Sequence, residues 1–305
     1  MPPPAQPGSP SALRAVAVIP ARLASRRLER KMLLCETGRA LFLHTAEAVA
    51  TCEAIGRVVV ATDSEEIVAA AAAEGVEALL TDPAHACGTD RVKEALDLLG
   101  EEPDVVVNVQ GDEPGIAAAD LETLVGAFSD SRVEVATLAV PIEDERDARA
   151  PDVVKVVLDE AGDALYFSRA AIPDRSHARE GSTAPGPMWR HVGVYAFRPA
   201  ALARFCALPA GALEAAENLE QLRWLEAGER MRVVEATRAP VGIDTAEDYA
   251  RFVASVDRQS HRYSCSRARP RSSGASTVLA RIRGTLSPLG RLTGKARFGW
   301  SSTSS

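Results

Sequence analysis

Five positively charged side chains follow the first apolar stretch of the sequence within ten residues. They lie in Pro20–Lys31, directly after the apolar run Ala15–Ile19, and are Arg22, Arg26, Arg27, Arg30 and Lys31. Loops at the carboxyl ends of strands face the ligand crevice in open α/β sheets, and Arg and Lys are common partners of phosphate groups. The segment therefore predicts a site for a triphosphate. The alternative is a basic loop that only faces solvent.

A second candidate site is the acidic end of another apolar stretch, Val107–Pro114, with the sequence VNVQGDEP. Asp112 and Glu113 follow the apolar residues, and Gly111 allows another part of the backbone to approach closely. Carboxylate oxygens at such a position suit Mg²⁺, which commonly binds one or two carboxylates together with the phosphates of a substrate. The pattern indicates a magnesium site, with an acidic turn at the end of a strand as the alternative.

Asp244, in the segment Gly242–Thr245, is a further acidic candidate. An isolated Asp before a helix is usually the N-cap of that helix. It would contribute to a metal site only if the fold brought it back to the crevice beside Asp112. The residues alone leave both interpretations of Asp244 open.

The elements that must position these residues alternate between short apolar runs and helical periods. Strands are predicted at Ala15–Ile19, Val58–Ala61 and Val105–Gln110. A helix opened by a capping box of Asp63 and Glu66 is expected to run to Gly75, and another begins after Thr89 and ends at Gly100. This alternation predicts a doubly wound α/β fold with a mainly parallel sheet.

The second half of the chain is richer in strands and predicts an antiparallel insertion at the edge of the sheet. The predicted strands are Val135–Val140, Val153–Leu158, Ala164–Ser168 and Val192–Phe197. The DEAGDA turn at 159–164 indicates a hairpin. Such insertions often cover a site or make a dimer contact. A last amphipathic helix is expected at Ala212–Ala227 and ends at Gly228.

Composition and charge narrow the class of protein. Apolar residues make up 46% of the chain and charged residues 25%, as in ordinary globular domains. The apolar runs are shorter than the roughly 20 residues of a membrane span and too short for a signal-peptide core, which favours a cytoplasmic protein without membrane insertion. Five dispersed cysteines favour free thiols over a disulfide framework or a zinc site. The net charge of −7 disfavours general binding of nucleic acid.

The predicted organisation has three parts: a disordered extension at 1–14, one globular domain at 15–257, and a basic tail at 258–305. Residues 259–305 hold nine Lys or Arg and no Asp or Glu. Their Ser-, Arg- and Gly-rich composition cannot bury a core of its own, so we expect the tail to be disordered. A basic amphipathic patch for an anionic membrane surface is the functional alternative.

Residues 15–256 resemble the 3-deoxy-manno-octulosonate cytidylyltransferase family. The matching segments occur in order and with compatible spacing: Pro20–Leu33, ATD at 61–63, CGTDR at 87–91, VNVQGDEP at 107–114, ATLAVPI at 136–142, VKVV at 154–157, ALYFSRAAIP at 164–173, RHVGVY at 190–195, LEQLR at 219–223 and GIDT at 242–245. The resemblance implies a nucleotidyltransferase of lipopolysaccharide biosynthesis. It also implies a homodimer that uses CTP and an acidic, octulosonate-like sugar with Mg²⁺ as cofactor.

The resemblance implies a role for each matching side chain. Nucleotide contacts would come from Arg22, Ser25, Lys31 and Gln110. Mg²⁺ would be bound by Asp112 and Asp244. The acidic sugar would be contacted by Arg91, Arg169, His191, Tyr195, Glu220 and Gln221. The catalytic residues would be Arg22, Lys31 and Asp112. In the implied reaction the anomeric hydroxyl of the sugar attacks the α-phosphate of CTP and expels pyrophosphate, without a covalent enzyme intermediate.

One position departs from the family pattern, in which a proline follows the leucine equivalent to Leu28. Here Glu29 stands at that position, which removes the fixed φ of proline and adds a negative charge beside the predicted triphosphate site. The alternatives to the octulosonate enzyme are a cytidylyl- or uridylyltransferase for another sugar, such as sialic acid or an 8-amino analogue, and a paralogue that binds its ligands but is catalytically impaired.

Overall fold

A computed structural model of the chain describes residues 13–25, 27–176 and 187–267. Contacts between Cα atoms divide the chain into two units, Met1–His261 and Arg262–Ser305, and the sheet lies in the first. The predicted extension at 1–14 and the predicted tail at 258–305 lie mostly outside the described residues, so both stay predictions. The last helix continues to Arg267, past the boundary at 257.

The strands of the described chain form one sheet. Their bounds are β1 Ala15–Ala21, β2 Ile55–Thr62, β3 Glu77–Leu80, β4 Val105–Asn108, β5 Val135–Pro141, β6 Lys155–Leu158, β7 Ala164–Ser168, β8 Trp189–Phe197 and β9 Arg232–Glu235. The helices are α1 Leu41–Ala50, α2 Glu65–Ala73, α3 Gly88–Leu99, α4 Ala118–Gly126, α5 Glu145–Arg149, α6 Pro199–Ala207, α7 Ala212–Glu217, α8 Leu222–Glu226 and α9 Ala246–Arg267. The predicted strands are therefore present, with ends that differ by a few residues.

The sheet order is β3-β2-β1-β4-β8-β5-β9, with β6 added beside β8 and β7 beside β6. β1 pairs in parallel with β2 and β4, and the pairs β2–β3 and β5–β9 are also parallel. β8 runs antiparallel to β4, β5 and β6, and β6 and β7 form the predicted hairpin. The mainly parallel sheet with an antiparallel insertion is confirmed. It places the carboxyl ends of β1 and β4 side by side.

Helices cover both faces of the sheet. In β1, Ala17 and Ile19 join a buried core with residues of α1 and α4, whereas Val16 and Val18 join a second core with residues of α3 and α6. Successive side chains of a strand point to opposite faces, and a strand covered on both faces must be apolar throughout. This explains why β1 appears in the sequence as a continuous apolar run rather than an alternating one.

The predicted capping box of α2 is wrong. The N-cap of α2 is Ser64, and Asp63 accepts hydrogen bonds from the backbone N–H of Leu23 at 3.1 Å and from Arg91 at 3.2 Å. A carboxylate bound to a guanidinium gains a stronger, charge-assisted hydrogen bond than a helix cap offers. Asp63 therefore joins α2 to the predicted phosphate loop and does not cap the helix.

The single helix predicted at Ala212–Ala227 is also wrong. α7 ends at Glu217, and Asn218 takes a left-handed conformation, with φ 53° and ψ 51°, before α8 begins at Leu222. Asparagine is one of the few residues that adopt this conformation readily, and it often ends a helix there. The amphipathic period continues across the break, which is why the pattern suggested one helix.

No helix among the described residues combines the length and the apolar character that crossing a bilayer requires.

Candidate functional site

The two predicted ligand segments leave the same edge of the sheet, after the neighbouring strands β1 and β4. The backbone N–H of Gly111 donates to the carbonyl of Pro20 at 3.4 Å, and the hydroxyl of Thr45 donates to the carbonyl of Gly111 at 2.9 Å. A Cβ atom at position 111 would lie 3.0 Å from Sδ of Met32 and 3.2 Å from the oxygen of Pro20. The close approach expected at this glycine is therefore present, and it fixes the position of the next residue, Asp112.

Lys31, Asp112 and Asp244 meet at this edge. The ammonium group of Lys31, which is only 6% exposed, donates to Oδ2 of Asp112 and to Oδ1 of Asp244, the latter at 3.1 Å. The backbone N–H of Ile243 donates to the carbonyl of Asp112 at 3.0 Å and so brings Asp244 to the crevice. Burial alone would lower the pKa of Lys31, but the charges and hydrogen bonds of Asp112 and Asp244 outweigh it and raise that pKa.

Asp244 does not cap the helix that follows it. Thr245 and Asp248 exchange hydrogen bonds of the capping-box type, with the N–H of Thr245 donating to Asp248 at 2.9 Å and the N–H of Asp248 donating to Oγ1 of Thr245 at 3.1 Å. The carboxylate of Asp244 instead contacts Lys31 and, at 3.2 Å, the guanidinium of Arg27. Of the two interpretations of Asp244, the fold favours the one in which it returns to the crevice.

The loop after β1 holds Arg22 beside the start of α3. The guanidinium of Arg22 donates to the carbonyl of His85 at 2.7 Å, and Ser25 lies half-buried further along the loop. Arg91 is completely buried behind it, where it donates to Asp63 and Thr81. Burial lowers the pKa of Arg91. The structure therefore places Arg91 beneath the loop, not among the residues that line either cavity described below.

A cavity of about 260 Å³, called here the Tyr195 cavity, lies next to this edge. Its lining residues are Gly88, Thr89, Gln110, Gly193, Tyr195, Asn218, Leu219, Glu220 and Gln221. It thus brings together four of the predicted ligand-binding residues, Gln110, Tyr195, Glu220 and Gln221. Nε2 of Gln221 is buried and has no hydrogen-bond partner among the described residues, so a donor is available to a ligand there.

Burial changes the ionisation of the groups around this cavity. It raises the pKa of Tyr195, with a contribution from the charge of Glu220, and it raises the pKa of Glu220 itself. Glu220 accepts a hydrogen bond from the hydroxyl of Thr89 at 3.3 Å. Nε2 of Gln110 donates to Oδ1 of Asn108 at 3.1 Å, which orients its amide. These donors and acceptors suit the hydroxyl groups of a sugar.

A second cavity of about 500 Å³, called here the Glu113 cavity, adjoins the first. Glu113, His191, Arg190 and Arg27 are among the residues that line it. Oε2 of Glu113 is buried and accepts no hydrogen bond from residues 13–25, 27–176 or 187–267, and burial, with the nearby charge of Asp112, raises the pKa of Glu113 to about 8. The sequence named Glu113 only together with Asp112, as one of two carboxylates suited to Mg²⁺ or as part of an acidic turn, because nothing in the motif shows which of two adjacent carboxylates is buried.

Gly193 lines both cavities. The pairing of β5 with β8 shifts there, since Thr137 pairs with Tyr195 whereas the next residue, Leu138, pairs with Val192. The hydroxyl of Thr137 donates to the carbonyl of Val194 at 2.8 Å, inside the irregular stretch. Tyr195 follows this bulge and lines one cavity, whereas His191 precedes it and lines the other. Bulges commonly redirect side chains near functional sites.

His191 is held by its neighbours. Its Nε2 lies 3.0 Å from Oγ1 of Thr137, and its ring contacts Phe167 and Tyr195 at centroid distances of 5.0 and 5.5 Å. Burial lowers the pKa of His191 to about 3. The imidazole is therefore neutral at physiological pH and offers hydrogen bonds rather than a positive charge.

The guanidinium of Arg169 is used within the protein. Its Nε donates to the carbonyl of Glu217 at 2.8 Å, and its terminal nitrogens donate to the carbonyls of Pro151 at 3.1 Å and Asn218 at 3.4 Å. Arg169 thus holds the break between α7 and α8 and is not among the residues that line the two cavities. The sequence missed Glu217, whose carboxylate is 49 residues from Ser168 and gives no local signal.

The described residues contain no group of three or more His, Cys, Asp or Glu that could hold a metal ion by themselves. Asp112 and Asp244 nevertheless converge on one point, where a cation, the ammonium of Lys31, already lies between them. Two hard carboxylate ligands completed by substrate phosphates and water are what Mg²⁺ commonly uses. The donor set therefore fits magnesium in the presence of a phosphate ligand.

Comparison with known proteins agrees with this geometry. A family model described as cytidylyltransferase matches residues 16–231. The chain is 49% identical over 238 residues to a 3-deoxy-manno-octulosonate cytidylyltransferase of an Anaeromyxobacter species, an alignment that covers 78% of this chain and 95% of the relative. It is 42% identical over 242 residues to the protein of that name from Flavobacterium johnsoniae, with 78% and 97% covered.

Solved structures show the same relationship. A CMP:2-keto-3-deoxy-manno-octonic acid synthetase complexed with CTP is 38% identical, with a TM-score of 0.75 over 81% of this chain and 99% of the other. A 4-diphosphocytidyl-2C-methyl-D-erythritol synthase from Anaerococcus prevotii is 14% identical, with a TM-score of 0.54 over 81% of this chain and all of its own. The second likeness shows the fold alone.

Proposed function

The chain belongs to the 3-deoxy-manno-octulosonate cytidylyltransferase family, and we propose that the crevice after β1 and β4 is its active site. The enzyme transfers CMP from CTP to the anomeric hydroxyl of 3-deoxy-D-manno-octulosonate and releases pyrophosphate, a reaction of lipopolysaccharide biosynthesis. The observation that carries the assignment of the site is the convergence of Asp112 and Asp244 on Lys31, between the basic loop and the two cavities.

We assign the magnesium ligands to Asp112 and Asp244. Mg²⁺ bound there supplies positive charge to the phosphates of CTP and stabilises the charge that develops on them during transfer. The side chains of Arg22, Ser25 and Lys31 would hold the same phosphates, because they follow β1 at the same edge of the sheet. Lys31 would exchange its carboxylate partners for phosphate oxygens when nucleotide binds.

We place the sugar in the Tyr195 cavity, where Tyr195, Glu220, Gln221 and Gln110 present hydrogen-bonding groups. A neutral His191 contributes from the Glu113 cavity. No Arg or Lys is among the residues that line the Tyr195 cavity, whereas Arg27, Arg190 and Arg251 line the Glu113 cavity. The sugar carboxylate would therefore point toward the second cavity, since a carboxylate is bound best by a guanidinium.

Arg91 and Arg169 take indirect roles in this proposal. Arg91, paired with Asp63, would support the phosphate loop from beneath, and Arg169 would hold the backbone at Asn218. Neither contributes a guanidinium to the lining of a cavity. The family resemblance implies that both residues contact the sugar directly. For that to occur, their side chains would have to rearrange when the sugar binds.

In the reaction, the anomeric oxygen forms a bond to the α-phosphorus as the bond from that phosphorus to the bridging oxygen of pyrophosphate breaks. The hydroxyl proton leaves the sugar, and pyrophosphate carries away the bonding electrons. The protein contributes orientation of the two substrates and preorganised positive charge at the phosphates. No nucleophilic side chain is needed.

We propose further that the protein is a homodimer and acts in the cytoplasm. The edge hairpin β6–β7, with Leu165 61% exposed, offers a surface that a second subunit could cover. The cytoplasm is where CTP is available. Light scattering of the purified protein tests the first statement, and cell fractionation tests the second.

The decisive experiment measures pyrophosphate release with CTP and a panel of sugar acids: 3-deoxy-D-manno-octulosonate, its 8-amino analogue and sialic acid. We expect the highest kcat/KM with the octulosonate and dependence on added Mg²⁺. The Asp112→Asn protein, purified in the same way, controls for contaminating activity. If sialic acid gave the highest kcat/KM, it would replace the octulosonate as the proposed substrate. If none of the sugar acids in the panel supported pyrophosphate release, the proposed function would be rejected.

A further inference from the structure

One wall of the Tyr195 cavity is formed by four consecutive residues, Asn218 to Gln221. This wall, called here the 218–221 wall, exists because the left-handed Asn218 ends α7 before α8 begins. The side chain of Gln221 is 3% exposed, and its Nε2 has no partner in the part of the chain that the structure describes. The hydrogen bonds that the wall can give a sugar therefore depend on where its backbone is held.

The wall begins directly after Glu217, whose side chain reaches the end of β7. Oε1 of Glu217 accepts from the hydroxyl of Ser168 at 2.6 Å, and Oε2 accepts from the backbone N–H of Arg169 at 2.9 Å. In return, Nε of Arg169 donates to the carbonyl of Glu217 at 2.8 Å. Both oxygens of one carboxylate are thus fixed by two consecutive residues of the hairpin. Burial alone would raise the pKa of Glu217, but these hydrogen bonds outweigh it and lower that pKa.

The hairpin end that receives Glu217 is itself fixed. The ammonium group of the buried Lys155, in β6, donates to the carbonyls of Ala150 at 2.9 Å, Val153 at 2.6 Å and Arg169 at 2.6 Å. A buried ammonium with three carbonyl partners holds them in place, because releasing any of them would leave a buried charge without its hydrogen bonds. A continuous path of polar contacts therefore joins β6, the end of β7 and the 218–221 wall.

We propose that Glu217 is a positioning residue for the acidic sugar, through which the inserted hairpin sets the geometry of the 218–221 wall. Glu217 is not among the residues that line the cavity and would not touch the substrate. Its loss would weaken sugar binding and leave the CTP site, on the other side of β4, unchanged. This inference rests on the proposed function, because it takes the Tyr195 cavity as the sugar site.

The test compares steady-state kinetics of Glu217→Ala and Glu217→Gln with those of the wild type. We expect KM for the sugar to rise at least tenfold in Glu217→Ala and by a smaller factor in Glu217→Gln, which keeps one acceptor oxygen. KM for CTP and kcat should stay within about twofold. Ser168→Ala should also raise KM for the sugar, and the double variant should be little worse than Glu217→Ala, since the two side chains act through one contact.

The matched control is Glu134→Ala, which removes a carboxylate that pairs with Arg204 and belongs neither to the hairpin nor to the 218–221 wall. It should leave KM for the sugar within about twofold. An unchanged KM in Glu217→Ala, an equal rise for CTP, or an equal rise in Glu134→Ala would overturn the inference. If Glu217→Ala does not fold, the KM of Glu217→Gln decides. Failure of the wild type to use any sugar acid would instead reject the proposed function.

Discussion

Nζ of Lys31 lies 3.1 Å from Oδ1 of Asp244, although 213 residues separate the two in the chain. The same ammonium donates to Asp112. The two carboxylates assigned to magnesium therefore already share a cation of the protein, and a metal ion entering without nucleotide must compete with Lys31. In the proposed site, CTP would remove that competition by giving Lys31 phosphate oxygens to bind.

The first prediction follows for metal binding in the absence of nucleotide. Lys31→Met should increase the affinity for Mn²⁺ about tenfold, or about 1.4 kcal/mol, because it leaves Asp112 and Asp244 without their shared partner. Electron paramagnetic resonance of free Mn²⁺ measures this directly. Arg27→Met removes only the exposed contact to Asp244 at 3.2 Å and should change the affinity less than twofold. Equal affinity in Lys31→Met and wild type would contradict the competition.

The second prediction concerns turnover. Asp112→Asn and Asp244→Asn should each lower kcat by at least a hundredfold at saturating Mg²⁺, because each removes a charged ligand from the site that neutralises the phosphates. The melting temperature should change little, since asparagine keeps an acceptor oxygen for the ammonium of Lys31 in each variant. Glu247→Gln, an exposed carboxylate in the first turn of α9, serves as the control and should keep full activity. Near-normal rates in either Asp variant would remove it from the metal site.

The third prediction concerns Glu29, which precedes the left-handed residue Arg30, with φ 50°. Proline before a residue with positive φ is a favoured turn combination. Glu29→Pro should therefore stiffen the phosphate loop, remove a negative charge, and lower KM for CTP by about two- to threefold. Glu29→Ala separates the two causes, because it removes the charge without fixing φ. A KM for CTP that is unchanged or higher in Glu29→Pro would reject this account.

The fourth prediction concerns acid stability. Burial holds the pKa of His191 near 3, below its ordinary 6.5, so His191 binds a proton more readily in the unfolded chain than in the native state. Its contribution to the free energy of unfolding is fully present above pH 6.5. That contribution decreases as the pH drops from 6.5 toward 3, by about 2 kcal/mol at pH 5. Urea unfolding at pH 7 and pH 5 measures the free energy of unfolding of both proteins. Between these pH values it should fall by about 2 kcal/mol less in His191→Gln than in the wild type. An identical loss in both proteins would show that His191 is not the cause.

The features that could be predicted from the sequence are those that depend on residues close together in the chain. The apolar run of β1, the glycine-assisted turn before Asp112 and the hairpin after β6 all depend on neighbouring residues. The sequence could not decide whether Asp244 caps a helix, because that depends on the tertiary hydrogen bond from Ile243 and on the competing pair Thr245 and Asp248.

The errors have the same origin. Asp63 looked like a helix cap because its partner Arg91 lies 28 residues away. One helix was expected where there are two, because the apolar period passes over Asn218. Glu217 gave no signal, since its significance lies in a contact with Ser168 across 49 residues. Long-range polar contacts of this kind leave no periodicity for sequence reasoning to detect.

The bulge at Gly193 gives the fold a place where substrate preference could change without a change in stability. Apart from its two chain neighbours, no described residue would lie within 4 Å of a Cβ atom at Gly193, and the residue has no positive φ that would demand glycine. Because Gly193 lines both the Tyr195 cavity and the Glu113 cavity, alanine there would add a methyl group at the residue that the two cavities share. Variation at this one position therefore offers evolution, or an engineer, a means to change the fit of a ligand while the protein folds as before.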